Sequence, residues 1–231
     1  MTHAPQTVTI YLTRHGRTWL NELDRVQGWS DSPLTTAGKE DAVRLGTALS
    51  DADMMIDAAY SADMVRHRET AETVLAVMGV DIPVTVTPNL REMSFGGFEG
   101  GPNRVMYDAV LAQANVDSLA GLEKRVDGES ALLKLFESLE EANPVPTMPT
   151  ETAREVAARV LQEFEDIVAE AGTRGHENVL VVSSGVTILV VLHALGHPFN
   201  EAIKNASVST LVYAAGEWSV ERVNDTSLIG E

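Results

Sequence analysis

The sequence predicts an α/β protein: a three-layer α/β/α sandwich built on a mostly parallel sheet. Short β-branched runs alternate with amphipathic helical stretches, which implies parallel strands covered by helices on both faces. The length, 231 residues, suits a single domain spanning 1–231 with a modest insertion. The hydrophobic fraction is 44 % with no cysteine, so an apolar core rather than disulfide cross-links holds the chain together.

The elements follow in order. Val8–Leu12 is β-branched and aromatic and reads as the first strand, ending at Thr13-Arg14-His15-Gly16. Residues 17–32 are polar and loop-like. A helix opens at Leu34-Thr35-Thr36-Ala37-Gly38 with Thr35 or Thr36 as N-cap, and Ala42, Leu45, Ala48 and Leu49 form its apolar stripe. Ile56–Tyr60 is the second strand, and Ser61 and Asp63 are candidate caps for a helix running to about Met78. Val84–Thr87 is a third strand, and glycine-rich Leu90–Gly101 is a loop. Between about 102 and 149 the pattern becomes helical and charged, ending in a proline-rich stretch; one or two helices are expected there as an insertion or cap. Glu151–Ala171 is amphipathic through Val156, Val160, Phe164, Ile167 and Val168. Asn178–Val182 reads as a buried strand and Val186–Leu195 as a helix. Ser209–Tyr213 and Trp218–Val223 are final strands joined at Ala215-Gly216-Glu217, a place where a second copy would pair to give a homodimer. No internal repeat is present.

Composition narrows the function classes. The net charge is −17, which argues against nucleic acid or an anionic membrane as a partner. A small anionic substrate is still compatible, because a few arginines in a cleft outweigh a distant acidic surface. Without cysteine there is no thiolate nucleophile and no cysteine zinc site. No run is long and apolar enough to span a membrane, and the start has no basic-then-apolar leader pattern; the expected location is the cytoplasm. His193 and His197 have the spacing of a helical metal pair, but Gly196 and Pro198 end the helix between them, so no metal site is expected.

In parallel sheets ligands bind beyond the carboxyl ends of the strands. That rule gathers Arg14 and His15 after the first strand, Ser61 to Arg66 after the second, the loop around Glu92 after the third, and Ser183-Ser184 after the strand at Val179. An isolated arginine or histidine in a loop is ordinarily a solvated group. Here Arg68 competes with Arg66, Glu99 competes with Glu92, and Asn21 is also an ordinary turn residue.

The segment Thr13-Arg14-His15-Gly16 resembles the Arg-His-Gly signature of the histidine phosphatase superfamily, which includes the cofactor-dependent phosphoglycerate mutases. Asn21, Gln27-Gly28 and Asp31 to Thr35 are similar to that family's first loop. Ser61, Asp63, Arg66, Thr70 and Ala71 are similar to its second-arginine helix. Leu90-Arg91-Glu92 with Gly96 and Phe98-Glu99-Gly100 is similar to its glutamate loop, Glu151 and Arg159 fit its later helix, and Val179–Val182 with Gly185 fits its last strand. The ordered set covers most of the chain outside 102–149 and implies a phosphoglycerate mutase-like fold.

The resemblance implies a phosphomonoesterase acting on small phosphorylated metabolites through a phosphohistidine on His15, with no cofactor and no metal. Arg14 and Arg66 would clamp the phosphoryl oxygens, and Glu92 would give a proton to the leaving oxygen. Asn21, Gln27, Gly28, Ser184 and Gly185 would line the phosphate site. One position departs from the pattern. The family carries a second histidine in a Ser-His-Gly turn, and here the turn reads Ser183-Ser184-Gly185. A serine hydroxyl replaces a contact but not a charge, and one such lost donor costs on the order of a hundred- to a thousandfold in rate. His193 sits roughly 13 Å along the next helix at helical rise, too far to substitute. His67 adjoins Arg66, points about a quarter-turn away from it, and stays open as a substitute. Two other functions stay open at this point: a phosphoglycerate mutase using 2,3-bisphosphoglycerate, with 102–149 as a lid, and a weakened phosphate-ester-binding pseudoenzyme.

Overall fold

The computed structural model describes residues 7–124, 126 and 130–229. Its strands are β1 (Val8–Arg14), β2 (Ala58–Ser61), β3 (Val84–Val86), β4 (Asn178–Ser183), β5 (Val208–Ala214) and β6 (Glu217–Asp225). They form one sheet in the order β3-β2-β4-β1-β5-β6. β1 to β4 run parallel; β5 is antiparallel to β1, and β6 to β5. The helices are α1 (Trp19–Glu22), α2 (Thr36–Asp51), α3 (Val65–Met78), α4 (Asn103–Gln113), α5 (Leu119–Glu123), α6 (Ala131–Phe136), α7 (Leu139–Ala142), α8 (Ala153–Arg174) and α9 (Gly185–Ala194).

β4 shows why the chain makes three layers. Its Val179, Leu180, Val181 and Val182 are all fully buried, which only a strand covered on both faces requires. Val179 and Val181 pack with α8 and α9, whereas Leu180 and Val182 pack with α2 and α3. α8 buries Val156, Val160, Phe164, Ile167 and Ala171 at spacings of three and four, opens with a Thr152–Glu155 capping box and stops at Gly175 in the left-handed region. Phe164 is the anchor of this stripe, and its loss removes about 3–5 kcal/mol. The result is the α/β sandwich with a mixed, mostly parallel sheet that the sequence predicts.

Of the two expected caps of α2, Thr35 is the one used. Four details differ from the sequence expectation. Neither Ser61 nor Asp63 caps α3: the cap position is Met64, and the Val65 N–H donates instead to Asp31 Oδ2 at 2.6 Å. Asp63 is taken by a bidentate pair with Arg91. The polar 17–32 stretch contains α1, and the segment expected to hold one or two helices holds α4 to α7. Their Met106, Val110, Leu135, Phe136 and Leu139 join the same apolar cluster as α8 and β1. The final hairpin turns on Ala215 and Gly216, both at positive φ, so Glu217 belongs to β6. Among the described residues, no helix is long and apolar enough to cross a membrane.

Candidate active site

β1 and β4 lie side by side in register, with Arg14 opposite Ser183. Their carboxyl ends therefore deliver Arg14-His15 and Ser183-Ser184 to one rim. The His15 N–H donates to Ser183 O at 3.0 Å, fixing the first residue beyond the strand. Gly16 follows because α2 comes close: a Cβ there would lie 2.4 Å from Gly38 O. Its N–H is held by Thr70 Oγ1 of α3 at 3.0 Å.

His15 is almost fully buried, and its Nδ1 stands 2.8 Å from Gly16 O. A carbonyl only accepts, so Nδ1 carries the proton and the Nε2 lone pair is free in the neutral ring. Burial holds the imidazole well below the ordinary histidine range, helped by Arg66 and then Arg14; the Gly16 hydrogen bond opposes them. The ring meets that of His67 edge-on, with centroids 5.1 Å apart.

The two arginines are anchored by one end each. Arg66, completely buried on the first turn of α3, donates Nη1 to Ser30 O (2.8 Å) and Asp31 Oδ1 (3.0 Å), and Nη2 to Gly28 O (2.7 Å). Arg14 donates Nη1 to Ile203 O. Burial is the largest influence pushing both guanidiniums below their usual value, countered for Arg66 by Asp31 and for both by Glu92. Yet Nε of each is buried without a hydrogen-bond partner. Gln27 is similar: its Oε1 accepts from Thr18 (2.7 Å) and Ser32 (3.0 Å), while its buried Nε2 has no partner. Gly185 opens α9 beside Arg14, where a Cβ would lie 3.5 Å from Nε.

Glu92 is fixed by the start of α9. Its Oε1 accepts from Thr187 N–H (2.8 Å), Thr187 Oγ1 (2.9 Å) and Met93 N–H (2.9 Å), and Oε2 accepts from Val186 N–H (3.0 Å). The other candidate in this loop, Glu99, does a different job: it accepts N–H bonds from Gly28, Trp29, Ser30 and Phe95 and ties the two loops together. Arg68 is exposed, so of the two arginines on α3 only Arg66 reaches the interior.

Two stretches, residues 10–132 and 103–226, match the sequence profile of the histidine phosphatase superfamily (branch 1). The chain belongs to that superfamily. It is 30 % identical over 228 residues to a protein of Erwinia tasmaniensis named "Probable phosphoglycerate mutase GpmB", spanning 94 % of this chain and 93 % of the other. It is 27 % identical over 233 residues to a broad-specificity phosphatase of Saccharomyces cerevisiae, spanning 97 % and 88 %. The crystal structure of a Bacillus anthracis phosphoglycerate mutase superposes with a TM-score of 0.88 at 36 % identity, over 97 % and 96 % of the two chains. A histidine phosphatase of this kind transfers phosphoryl groups, with general phosphomonoesterase activity on small phosphorylated metabolites.

The remaining predicted residues of this histidine phosphatase are less uniform. Asn21 spends its Oδ1 on the Thr18 N–H at 3.2 Å, closing the capping box of α1. Ser184 is buried at the start of α9 and its hydroxyl lies 2.7 Å from His67 Nε2. Three further residues take part, of which only Asn205 went unnamed in the sequence. Asp31 holds Arg66 and the start of α3 at once. Arg159 braces the glutamate loop by donating to the carbonyls of Asn89, Arg91 and Glu92 while paired with Glu151. Asn205 donates to His15 O at 2.9 Å. The ordered match already contained Arg159 and Asp31; their partners appear only in three dimensions. Among the described residues, no group of three or more His, Asp or Glu side chains is placed to hold a metal ion.

Proposed function

We propose that this chain hydrolyses phosphomonoesters through a phosphohistidine on His15. The carrying observation is a buried, neutral His15 with a free Nε2, set among two arginines whose Nε–H groups are buried and unpartnered. A phosphoryl group satisfies such donors, and two guanidiniums offset the charge that develops on its oxygens.

In the first step the Nε2 lone pair bonds to phosphorus, the bond to the ester oxygen breaks, and Glu92 gives that oxygen its proton. The ring proton stays on Nδ1, donated to Gly16 O, throughout. In the second step water attacks phosphorus, Glu92 takes its proton, the N–P bond breaks and inorganic phosphate leaves with His15 restored. Gln27 would add a neutral donor through Nε2, and Asn21 through its amide NH2. Gly28, Ser184 and Gly185 would complete the wall. Residues 102–149 act as a cap within a single domain. Phosphorylated metabolites are retained inside cells by their charge, so we place the protein in the cytoplasm. A homodimer would use β6, which ends the sheet.

The likeness to the Bacillus anthracis mutase favours one second reading, phosphoryl transfer between substrate hydroxyls. A panel of phosphomonoesters assayed for phosphate release tests the first reading. Interconversion of 2- and 3-phosphoglycerate on addition of 2,3-bisphosphoglycerate, without phosphate release, would establish the second. Phosphate binding without either reaction would point to a pseudoenzyme.

A further inference from the structure

His67 is a second buried histidine at the same rim, and its surroundings are unusual. It sits on the first turn of α3 beside Arg66, fully enclosed, with its ring perpendicular to that of His15 at 5.1 Å. Its Nε2 lies 2.7 Å from the Ser184 hydroxyl. Its Nδ1 is buried with no partner. Unpaired buried nitrogens are rare in folded proteins. Among the described residues they occur on Arg14, Gln27, Arg66 and His67, and the other unpaired buried side-chain atom is the hydroxyl of Thr13, next to Arg14. Donors of this kind suit a phosphoryl group, which carries several acceptor oxygens.

The Ser184 hydroxyl settles which nitrogen of His67 carries the proton. Ser184 begins α9 but makes no capping bond with its side chain, and His67 Nε2 is its partner among the described residues. Were Nε2 protonated, both the hydroxyl proton and the Nδ1 lone pair would go unmet in the interior, whereas with the proton on Nδ1 only that N–H is unmet. The hydroxyl therefore donates to Nε2, and the ring proton sits on Nδ1. Burial, with Arg66 and then His15, keeps this ring neutral.

We propose that His67 is the second histidine of the phosphoryl site, donating from Nδ1–H to an oxygen of the transferring group, with Ser184 holding it in that tautomer. The histidine has moved from the turn after β4 to the first turn of α3. The site keeps two imidazoles, and Ser184 becomes a positioning residue. This inference rests on the phospho-His15 reading above.

The test is single-turnover labelling of His15 by a phosphomonoester in five proteins: wild type, His15→Ala, His67→Asn, His67→Gln, and a His67→Ala/Ser184→His double variant. Asparagine places an amide nitrogen where Nδ1 was; glutamine places one where Nε2 was. The labelling rate is read at saturating substrate so that weaker binding is separated from slower chemistry. We expect His67→Gln to label about a hundred- to a thousandfold more slowly than wild type, and His67→Asn to be faster than His67→Gln. The double variant, which returns the imidazole to the turn after β4, should label faster than His67→Gln. His67→Gln at wild-type rate, or faster than His67→Asn, would overturn the proposal while leaving phospho-His15 intact. Persistent labelling of His15→Ala would overturn the phospho-His15 reading instead. Melting curves in phosphate-free buffer identify a variant that fails to fold; the Asn-against-Gln order, or failing that the double variant, then decides.

Discussion

The brace behind the glutamate loop and the candidate site treat their arginines differently. In the brace behind the glutamate loop, Arg159 uses Nε, Nη1 and Nη2 alike, on Glu151 and three backbone carbonyls. In the pocket, Arg14 and Arg66 hold on by their Nη atoms and leave Nε buried and unpaired. A fold that needs a buried cation only for support satisfies it internally, because an unmet donor costs about 1–3 kcal/mol. Donors left unmet beside a neutral histidine are what the proposed phosphoryl site requires. The two glutamates differ in a similar way: Glu99 ties loops together and its charge reaches Arg66 alone, while the charge of Glu92 reaches both Arg14 and Arg66.

Substitutions on the two sides should break in different ways. Glu92→Gln has the largest expected effect, a loss of about a hundred- to ten-thousandfold with alkyl phosphates. The loss should shrink with p-nitrophenyl phosphate, whose leaving group needs little protonation; equal losses with both esters would remove Glu92 from proton transfer. Next, Arg66→Ala should lose on the order of a hundred- to a thousandfold in kcat/KM, and Arg66→Lys should recover little of it, because an ammonium has no second fork. Thermal shift sharpens this. Inorganic phosphate should raise the melting temperature of wild type and of Arg159→Ala, but not of Arg66→Ala. Arg159→Ala should instead lower stability by about 1–3 kcal/mol in urea unfolding, with Glu151 left without its cation in a partly buried setting and only the Ser94 N–H donating to it. A wild-type-like midpoint would end the distinction between brace and pocket.

Smaller effects follow from protonation and from the surface. His15 and His67 are both held neutral, well below the ordinary 6.5. Unfolded, each takes up a proton near that value; folded, each does so only at lower pH. The unfolded state therefore binds more protons below about 6.5, and stability falls as pH drops through that point, by up to ~1.4 kcal/mol per pH unit per histidine. His67→Asn should flatten the slope by one histidine's share in urea titrations between pH 7 and 5. Smallest of all, Arg104→Ala on α4 removes a long pair with Asp108 at 3.9 Å in the open, and should change stability by less than about 0.5 kcal/mol.

The sheet was legible because its strands are short β-branched runs with charged helices between them, and the rim because parallel strands end together. His15, Arg14, Arg66 and Glu92 could be named since each follows a strand or opens a helix at a recognisable spacing. What could not be read was pairing across distance. Asp31 caps α3 from a loop 34 residues earlier, displacing Ser61 and Asp63, whose types suit a cap equally well. The apolar residues of 102–149 fall in short amphipathic pieces, so their periodicity does not reveal α4 to α7. The contact of His67 with Ser184 joins residues 117 apart. Sequence showed that Ser184 stands where a histidine was expected and that His67 was nearby; only packing of α3 against the start of α9 puts the two together.

The central claim is that the pocket exists to carry a phosphoryl group on His15 Nε2. The most direct measurement is to quench the protein in alkali during turnover of a phosphomonoester and locate the bound phosphoryl group by peptide mapping. The account predicts an alkali-stable, acid-labile phosphohistidine at His15 that disappears as phosphate is released. Turnover with no such adduct, or with the label on another residue, would contradict it.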